Sequence, residues 1–212
     1  MNPTLQLPRP GEHVVFVGTT GSGKTYLASK LLSYVERSIV FDTHGTVPVE
    51  GSVKVDHPGA VAWNLRWYHR IRYVPKLEYR TREHWNQVVK FLLTRNLGKK
   101  RVIYIDEIFH LGFGPSFPDW LSRGISTARQ RQTSFWISSQ RPMNIPMAVM
   151  TEASRIYAFY LSYEDDIKKL SKFVRDSKAF QEVMLGLKYD YSFVEIDRIK
   201  GTWRKLPKLG GG

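Results

Sequence analysis

A glycine-rich segment near the amino terminus constrains this chain more than any other feature. Residues 18–25 read GTTGSGKT, which matches the pattern G-x-x-x-x-G-K-[ST] at every fixed position. The apolar run His13–Val17 precedes it and predicts a buried strand, and Tyr26–Leu32 follows it and predicts a helix. A strand, a glycine-rich loop and a helix in this order are typical of a phosphate-binding P-loop. We therefore expect an α/β fold organised around this loop.

The P-loop pattern assigns a role to each part of the segment. Its glycines let the backbone turn its N–H groups inward around an anion, and the start of the helix adds a partial positive charge. The Lys24 ammonium is expected to reach the β- and γ-phosphates of ATP, and the Thr25 hydroxyl to bind Mg²⁺. The predicted phosphate-binding residues are Gly18, Thr19, Thr20, Gly21, Ser22, Gly23, Lys24 and Thr25.

Length and composition are those of one globular domain. The chain has 212 residues, of which 42% are hydrophobic, and it contains no cysteine, which excludes disulfides and thiolate metal sites. No apolar run approaches the ~20 residues that span a bilayer, so no integral membrane segment is expected. We expect an extended amino-terminal arm over 1–11, a single domain over 12–200 and a flexible carboxy-terminal tail over 201–212.

The charge balance points to a polyanionic partner. Lys and Arg number 32 against 19 acidic residues, which gives a net charge of +13. An excess of this sign favours nucleic acid first and an anionic membrane surface second. Basic residues concentrate in four segments, which are 66–82, 99–101, 168–178 and 198–208.

Predicted strands and helices alternate along the chain. Residues 43–70 have no clear period and contain Pro48, Gly51, Pro58 and Gly59, so they are expected to form an irregular connection with one short strand near 53–55. The alternation elsewhere predicts a mainly parallel central sheet with helices on both faces. Predicted strands cover 38–42, 70–74, 101–106, 133–138, 155–159 and 191–196, and predicted helices cover 82–97, 119–132, 148–152, 164–174 and 177–185.

A second motif ends the strand predicted over 101–106. Val102–Ile105 is apolar and is followed by Asp106 and Glu107, which is a Walker B pattern. Asp106 is expected to hold Mg²⁺, and Glu107 to activate the attacking water as a general base. The adjacent glutamate favours a hydrolase over a small-molecule kinase or a GTPase switch. Gln140 follows the strand predicted over 133–138 and is expected to contact the γ-phosphate or this water.

These motifs together resemble the FtsK–HerA superfamily of P-loop ATPases. The resemblance extends over about residues 12 to 175 and includes a Ser-Gln-Arg-Pro sequence after a strand, with an arginine eleven positions before the glutamine. The matching residues are Arg129, Ser139–Pro142, Asp42–Gly45, Ile145–Pro146 and Tyr163–Ile167. The chain looks like the minimal genome-packaging ATPases of membrane-containing icosahedral viruses, which push double-stranded DNA into a preformed capsid.

The resemblance implies more than the motifs alone do. It implies a RecA-like fold of the additional-strand, catalytic-glutamate division, a hexameric ring with ATP sites between subunits, and a central channel for double-stranded DNA. It also implies a capsid vertex or membrane protein as anchor, in the host cytoplasm and at the packaging vertex of the virion. Arg129 matches the arginine finger that a neighbouring subunit supplies, with Arg131 as substitute. Gln132 stands where the family commonly has glycine.

The sequence is also compatible with two other functions. One is a conjugation or filamentous-phage assembly ATPase of the same lineage, and the other is a non-translocating P-loop nucleotide switch or kinase. The glycine- and aromatic-rich segment Leu111–Pro118 is a candidate mobile loop for DNA contact, although a packed surface loop is equally compatible with its composition.

Overall fold

The structure is a computed structural model that describes residues 5, 7–95, 100–111 and 119–209. Within these residues nine strands form one sheet. The strands are β1 His13–Val17, β2 Ser38–Asp42, β3 Val53–Val55, β4 Arg70–Tyr73, β5 Val102–Asp106, β6 Ser134–Ser139, β7 Ala153–Ala158, β8 Phe193–Asp197 and β9 Thr202–Leu206. The helices are α1 Lys24–Ser33, α2 Pro58–Asn64, α3 Arg82–Thr94, α4 Asp119–Thr127, α5 Met147–Glu152, α6 Glu164–Ser171 and α7 Ser177–Leu185.

The sheet is mainly parallel, which confirms the predicted α/β class. Its strand order is β3-β4-β2-β5-β6-β1-β7-β8-β9. The seven strands from β3 to β7 in this order pair in parallel, and β8 and β9 continue the sheet antiparallel. The register places Val17 of β1 beside Ser139 of β6, so neighbouring strands end together at one edge.

Apolar residues on successive positions of a strand serve two different cores. In β1, Val15 and Val17 join the cluster on one face of the sheet, and Val14 and Phe16 join the cluster on the other. Because side chains alternate across a strand, a continuously apolar strand fits only a sheet that is covered on both faces. All five residues of β1 are buried, as expected for this position.

The connection over 43–70 holds a helix that the sequence did not predict. Pro58 and Gly59 indicated an irregular segment, but they stand in the first turn of α2. The side chain of His57 accepts a hydrogen bond from Gly59 N at 3.1 Å, and Pro58 occupies the first helical position. Proline fits there because the N–H that it lacks would have no partner within the helix.

The prediction of a flexible tail from residue 201 is wrong for residues 202–206. These residues form β9, which pairs with β8 from Asp197–Thr202 to Phe193–Leu206. A tight turn joins the two strands, in which Gly201 N donates to Asp197 O at 2.8 Å. Leu206 is buried in the second core cluster, so packing as well as pairing holds this strand.

One helix ends earlier than predicted. The helix predicted over 119–132 ends at Thr127, and residues 128–131 form a 3₁₀ turn before β6.

No helix in the described part of the chain combines the length and the hydropathy that a membrane crossing requires.

Candidate functional site

Three neighbouring strands bring the predicted site residues, except Arg129, to one edge of the sheet. The P-loop follows β1, Glu107 follows β5, and Gln140 follows β6. These strands lie side by side in the order β5-β6-β1 and run parallel. Because the carboxyl ends of parallel strands share an edge, the three segments surround one region, which is where α/β sheets bind ligands.

The P-loop leaves β1 and turns sharply into α1. Gly18 has φ 151 and Gly23 has φ 109, conformations that favour glycine. A Cβ on Gly18 would lie 2.6 Å from the Cβ of Phe159, so a side chain at this position has no room. Gly18 N donates to Ser139 O at 3.3 Å and Thr19 N donates to Tyr160 O at 2.9 Å, which attaches the loop to the ends of its neighbours.

Lys24 lies inside the curve of the P-loop. Its Nζ donates to the carbonyl oxygens of Gly18 at 2.7 Å and Thr19 at 3.0 Å. Burial lowers the pKa of Lys24, and the nearby carboxylates of Glu107 and Asp106 oppose this shift. The buried hydroxyl of Ser22 has no hydrogen-bond partner among the described residues. A cation and an unpartnered donor inside the same loop fit a bound anion.

Asp106 meets Thr25 across the site. The Thr25 hydroxyl donates to Asp106 Oδ1 at 3.4 Å, and the Tyr104 hydroxyl donates to the same oxygen at 2.8 Å. Burial raises the pKa of Asp106, and the hydrogen bond from Tyr104 opposes this shift. A hydroxyl and a carboxylate are ligands that suit Mg²⁺, which takes few protein ligands and keeps phosphate and water oxygens. The donor set thus fits the predicted metal.

Glu107 is held in an uncommon backbone conformation at the end of β5. Its φ of 51 lies in the left-handed region, which is sparsely populated by residues other than glycine. Oε2 accepts a hydrogen bond from Gln140 N at 2.9 Å, and Oε1 accepts one from the Ser139 hydroxyl at 3.3 Å. Burial raises the pKa of Glu107, and the ammonium of Lys24 opposes this shift. A raised carboxyl pKa is the direction that a general base requires.

Gln140 contributes its backbone N–H to this contact, and its side chain is exposed. The next residue, Arg141, forms an ion pair with the buried Asp166 at 3.0 Å and stacks over Tyr163 at 4.2 Å. Asp166 also accepts a hydrogen bond from Met143 N at 3.1 Å. Two motifs that are far apart in sequence therefore form one contact, which fixes the segment after β6.

Asp42, at the end of β2, stabilises the turn that follows this strand. Its carboxylate accepts hydrogen bonds from Gly45 N at 2.7 Å, Thr46 N at 3.0 Å and Val47 N at 2.9 Å. The side chain is fully buried and lies 4.0 Å from Arg72 Nε. The Asp-Thr-His-Gly segment is thus a turn that its own aspartate holds closed.

The backbone of Arg129 does not lie near the chain's own P-loop. It belongs to the 3₁₀ turn 128–131, which precedes the amino end of β6, whereas the P-loop follows the carboxyl end of the parallel strand β1. The two ends of β6 are separated by six residues, or about 20 Å at ~3.3 Å each. Arg131, its alternative, donates from Nη1 to Leu93 O in the last turn of α3.

Three contacts at the site were not predicted from the sequence. Tyr104 stands two residues before Asp106 in β5, so both point to the same face, and this spacing was an available signal. Ser139 was identified from the sequence as part of the Ser-Gln-Arg-Pro motif, but its contact with Glu107 was not predicted. Tyr189 donates to Thr20 O at 2.5 Å from a loop 169 residues away, for which no local signal exists. The predicted DNA-contact loop falls largely on 112–118, outside the described residues.

Comparisons with known proteins give a structural likeness. No model of a protein family matches the sequence, and a search of curated proteins found no match. The genome packaging NTPase B204 of Sulfolobus turreted icosahedral virus 2, in complex with AMPPCP, superposes with a TM-score of 0.76 at 18% identity. The alignment covers 95% of this chain and 100% of B204.

Two further structures agree. The DNA-packaging ATPase B204 of Sulfolobus Turreted Icosahedral Virus gives a TM-score of 0.74 at 18% identity, over 96% of this chain and all of that one. VirB4 of Thermoanaerobacter pseudethanolicus gives 0.72 at 11% identity, over 94% and 89%. At such identities the likeness establishes the fold. The chain has the α/β fold of these P-loop ATPases, the kind of protein that its motifs resemble.

Proposed function

We propose that this chain hydrolyses ATP and uses the energy to move double-stranded DNA into a preformed viral capsid. One observation supports hydrolysis above the others: Lys24, Thr25, Asp106 and Glu107 converge at one strand edge in a chain with the fold of B204. Phosphate-binding, metal-binding and base side chains are the parts that ATP hydrolysis requires.

Each residue has a distinct task in this proposal. The N–H groups of the P-loop and the ammonium of Lys24 bind the phosphates and balance the charge that develops on them. Thr25 and Asp106 would hold Mg²⁺, which supplies further charge neutralisation when bound. Glu107 accepts a proton from the attacking water, and the contacts with Ser139 and Gln140 N orient its carboxylate. The exposed side chain of Gln140 is proposed to contact the γ-phosphate or this water.

DNA as the polyanion is supported by charge and by the fold. The net charge of +13 favours contact with phosphates, and B204, whose structure is similar, is a DNA-packaging ATPase. A packaging motor acts at a capsid vertex, so we propose that the chain works in the host cytoplasm and at the packaging vertex, anchored by a capsid or membrane protein. Binding through non-specific phosphate contacts is expected to weaken steeply with salt.

Arg129 is proposed to act in the site of a neighbouring subunit of a ring, for which a hexamer is the expected form. Its backbone lies a strand length from its own P-loop, and this separation supports a role in a neighbour's site. Mixing Arg129→Ala with Lys24→Ala protein tests this, because mixed rings contain some sites with both residues intact. Partial recovery of hydrolysis is expected, and no recovery at any ratio would contradict a shared site.

A conjugation ATPase is the second candidate, because VirB4 shares the fold at a TM-score of 0.72.

Movement along a DNA duplex distinguishes both of these translocating ATPases from a nucleotide switch, which does not translocate. The assay is displacement of a fluorescent third strand from a DNA triplex during ATP hydrolysis. Wild-type protein is expected to displace the strand and Lys24→Ala is not. If wild-type hydrolyses ATP but leaves the triplex intact at every salt concentration, translocation is wrong and hydrolysis stands.

A further inference from the structure

The amino ends of the parallel strands form the edge of the sheet that lies opposite the P-loop. β2 begins at Ser38, which pairs in register with Arg70 at the start of β4 and with Val102 at the start of β5. The segments that enter these strands are in contact, because Ser38 N and Arg101 Nη1 both donate to His69 O at 3.0 Å. No step of the proposed hydrolysis uses the part of this edge at β2 and β4.

Two tryptophans are exposed where the chain returns to this edge before β4. α2 ends at Asn64, and a further turn follows it, in which Trp67 N donates to Asn64 O at 3.0 Å. Trp63 and Trp67 are four residues apart on this helical backbone, so they lie on one face, where they are 62% and 72% exposed. The opposite face carries Val61 and Leu65, which are buried in the core and hold the turn in place.

Cations lie beside the two indoles. The guanidinium of Arg66 lies 5.5 Å from the ring centre of Trp63 and forms no ion pair among the described residues. A cavity of about 440 Å³ opens at the amino ends of β2 and β5, and Tyr34, which is 65% exposed, lines it together with the carboxylate of Glu36. The basic side chains in the lining of this cavity are those of Arg9, Arg37, Lys100 and Arg101. Cations therefore outnumber carboxylates at this part of the edge.

We propose that this edge binds the surface of an anionic lipid bilayer, into which the rings of Trp63 and Trp67 insert. The proposal goes beyond the proposed function, which assigns the anchoring of the chain to another protein, and it does not depend on hydrolysis. Indole rings are amphipathic and favour the boundary between lipid headgroups and acyl chains. Basic side chains beside them are attracted to anionic headgroups.

The side chains at this edge favour a bilayer over duplex DNA as the partner. Aromatic rings bind nucleic acids mainly by stacking on unpaired bases, which a duplex does not offer. A bilayer instead buries the apolar surface of a ring at the level of its headgroups. Leu7, which is 45% exposed in the lining of the same cavity, adds aliphatic surface that also suits a bilayer.

The test is flotation of the protein with vesicles at low salt. Vesicles of phosphatidylcholine alone are compared with vesicles in which phosphatidylserine replaces about a third of the lipid. The variants are the double substitution Trp63→Ala with Trp67→Ala and the single substitution Arg66→Gln. The matched controls are Leu77→Ala and Lys76→Gln, which remove an exposed apolar side chain and an exposed cation beyond the carboxyl end of β4.

Wild-type protein is expected to float with the anionic vesicles and to remain in solution with the neutral ones. The double variant is expected to bind the anionic vesicles about tenfold more weakly, because it loses most of the apolar surface that enters the bilayer. Arg66→Gln is expected to bind about fivefold more weakly, which is the effect of one cation near an anionic surface. Both controls are expected to bind as wild-type does, and all variants to unfold at the wild-type urea concentration.

Tryptophan fluorescence in anionic vesicles that contain brominated phosphatidylcholine tests insertion directly. Quenching is expected for wild-type and is expected to be lost in the double variant. Wild-type protein that does not bind anionic vesicles, or a double variant that binds them as tightly as wild-type, would overturn the proposal. A double variant that loses duplex DNA binding and keeps vesicle binding would assign the edge to DNA. Hydrolysis by wild-type is measured without vesicles, so the proposed function is tested separately.

Discussion

The ends of β2 and β5 carry the same residue at the same level of the sheet and differ in what surrounds it. Asp42 and Asp106 are partners in the parallel register, and both are buried. Three backbone N–H groups of the following turn bind the Asp42 carboxylate. Asp106 instead receives two side-chain hydroxyls, from Thr25 and Tyr104, and is followed by Glu107.

This difference separates a carboxylate that stabilises the fold from one that is available for chemistry. Backbone donors within five residues hold Asp42 in place and use both its oxygens, so it has a structural role. At the β5 end, burial raises the pKa of both Asp106 and Glu107, and Lys24 lies close enough to oppose each shift. Charged groups that are buried close together cost stability and are typical of functional sites. The comparison predicts that substitutions at the two ends change different properties.

The largest effect is expected from Glu107→Gln at the β5 end. Removal of the base is expected to lower the rate of ATP hydrolysis by ~10²- to 10⁴-fold, with AMPPCP binding retained. The matched control is Glu36→Gln, at an exposed position on the opposite edge of the sheet, which is expected to hydrolyse at the wild-type rate. Equal rates in Glu107→Gln and wild-type would remove Glu107 from the mechanism.

Asp42→Ala is expected to lower the stability of the fold and to leave the rate of ATP hydrolysis unchanged. The substitution leaves three N–H groups without their acceptor and lowers the free energy of unfolding by about 3 kcal/mol in urea denaturation. Asp42→Asn keeps one acceptor oxygen and is expected to lose less. Turnover per folded molecule should stay near wild-type for both. A stable Asp42→Ala protein without hydrolysis would place the β2 end in the active site and end the contrast.

A substitution in the contact that holds the segment after β6 is expected to lower both the stability of the fold and the rate of ATP hydrolysis. Asp166 holds Arg141 and Met143 N, and the same segment provides the N–H that binds Glu107. Asp166→Ala is therefore expected to lower the free energy of unfolding by about 2 kcal/mol, because it removes a buried carboxylate that binds both Arg141 and Met143 N, and also to slow hydrolysis severalfold. Its neighbour Asp165 is 79% exposed, and Asp165→Ala serves as the control. A loss of stability with full turnover would uncouple this segment from Glu107.

The smallest effect is expected from Tyr104→Phe. It removes the hydroxyl that donates to Asp106, and loss of such a supporting contact weakens metal binding by about tenfold. The Mg²⁺ concentration for half-maximal hydrolysis is expected to rise by that factor. Tyr73→Phe removes a hydroxyl from an equally buried tyrosine whose partner is His84, and it is expected to leave the Mg²⁺ requirement unchanged. The same requirement in both variants would argue against Asp106 as a metal ligand.

The sequence predicted those parts of the molecule whose chemistry is local. The P-loop and Asp106–Glu107 each occupy consecutive residues after an apolar strand, so their position at the strand edge followed from the parallel sheet. The contact between Tyr189 and Thr20 could not be predicted, because it depends on how the β8 side of the sheet packs against the P-loop. α2 was missed because Pro58 and Gly59 were interpreted as breakers, although proline is favoured at a helix start. β9 was missed because its residues are mostly polar or charged and because, among the strands that the structure describes, it pairs with β8 alone.

The most direct test of the account is the rate of ATP hydrolysis at low salt with and without double-stranded DNA, measured for wild-type and Glu107→Gln in parallel. The account predicts that DNA raises the wild-type rate, that added salt abolishes the increase, and that Glu107→Gln shows neither the basal nor the stimulated rate. A wild-type rate that is independent of DNA at every salt concentration, or stimulated hydrolysis that survives in Glu107→Gln, would contradict it.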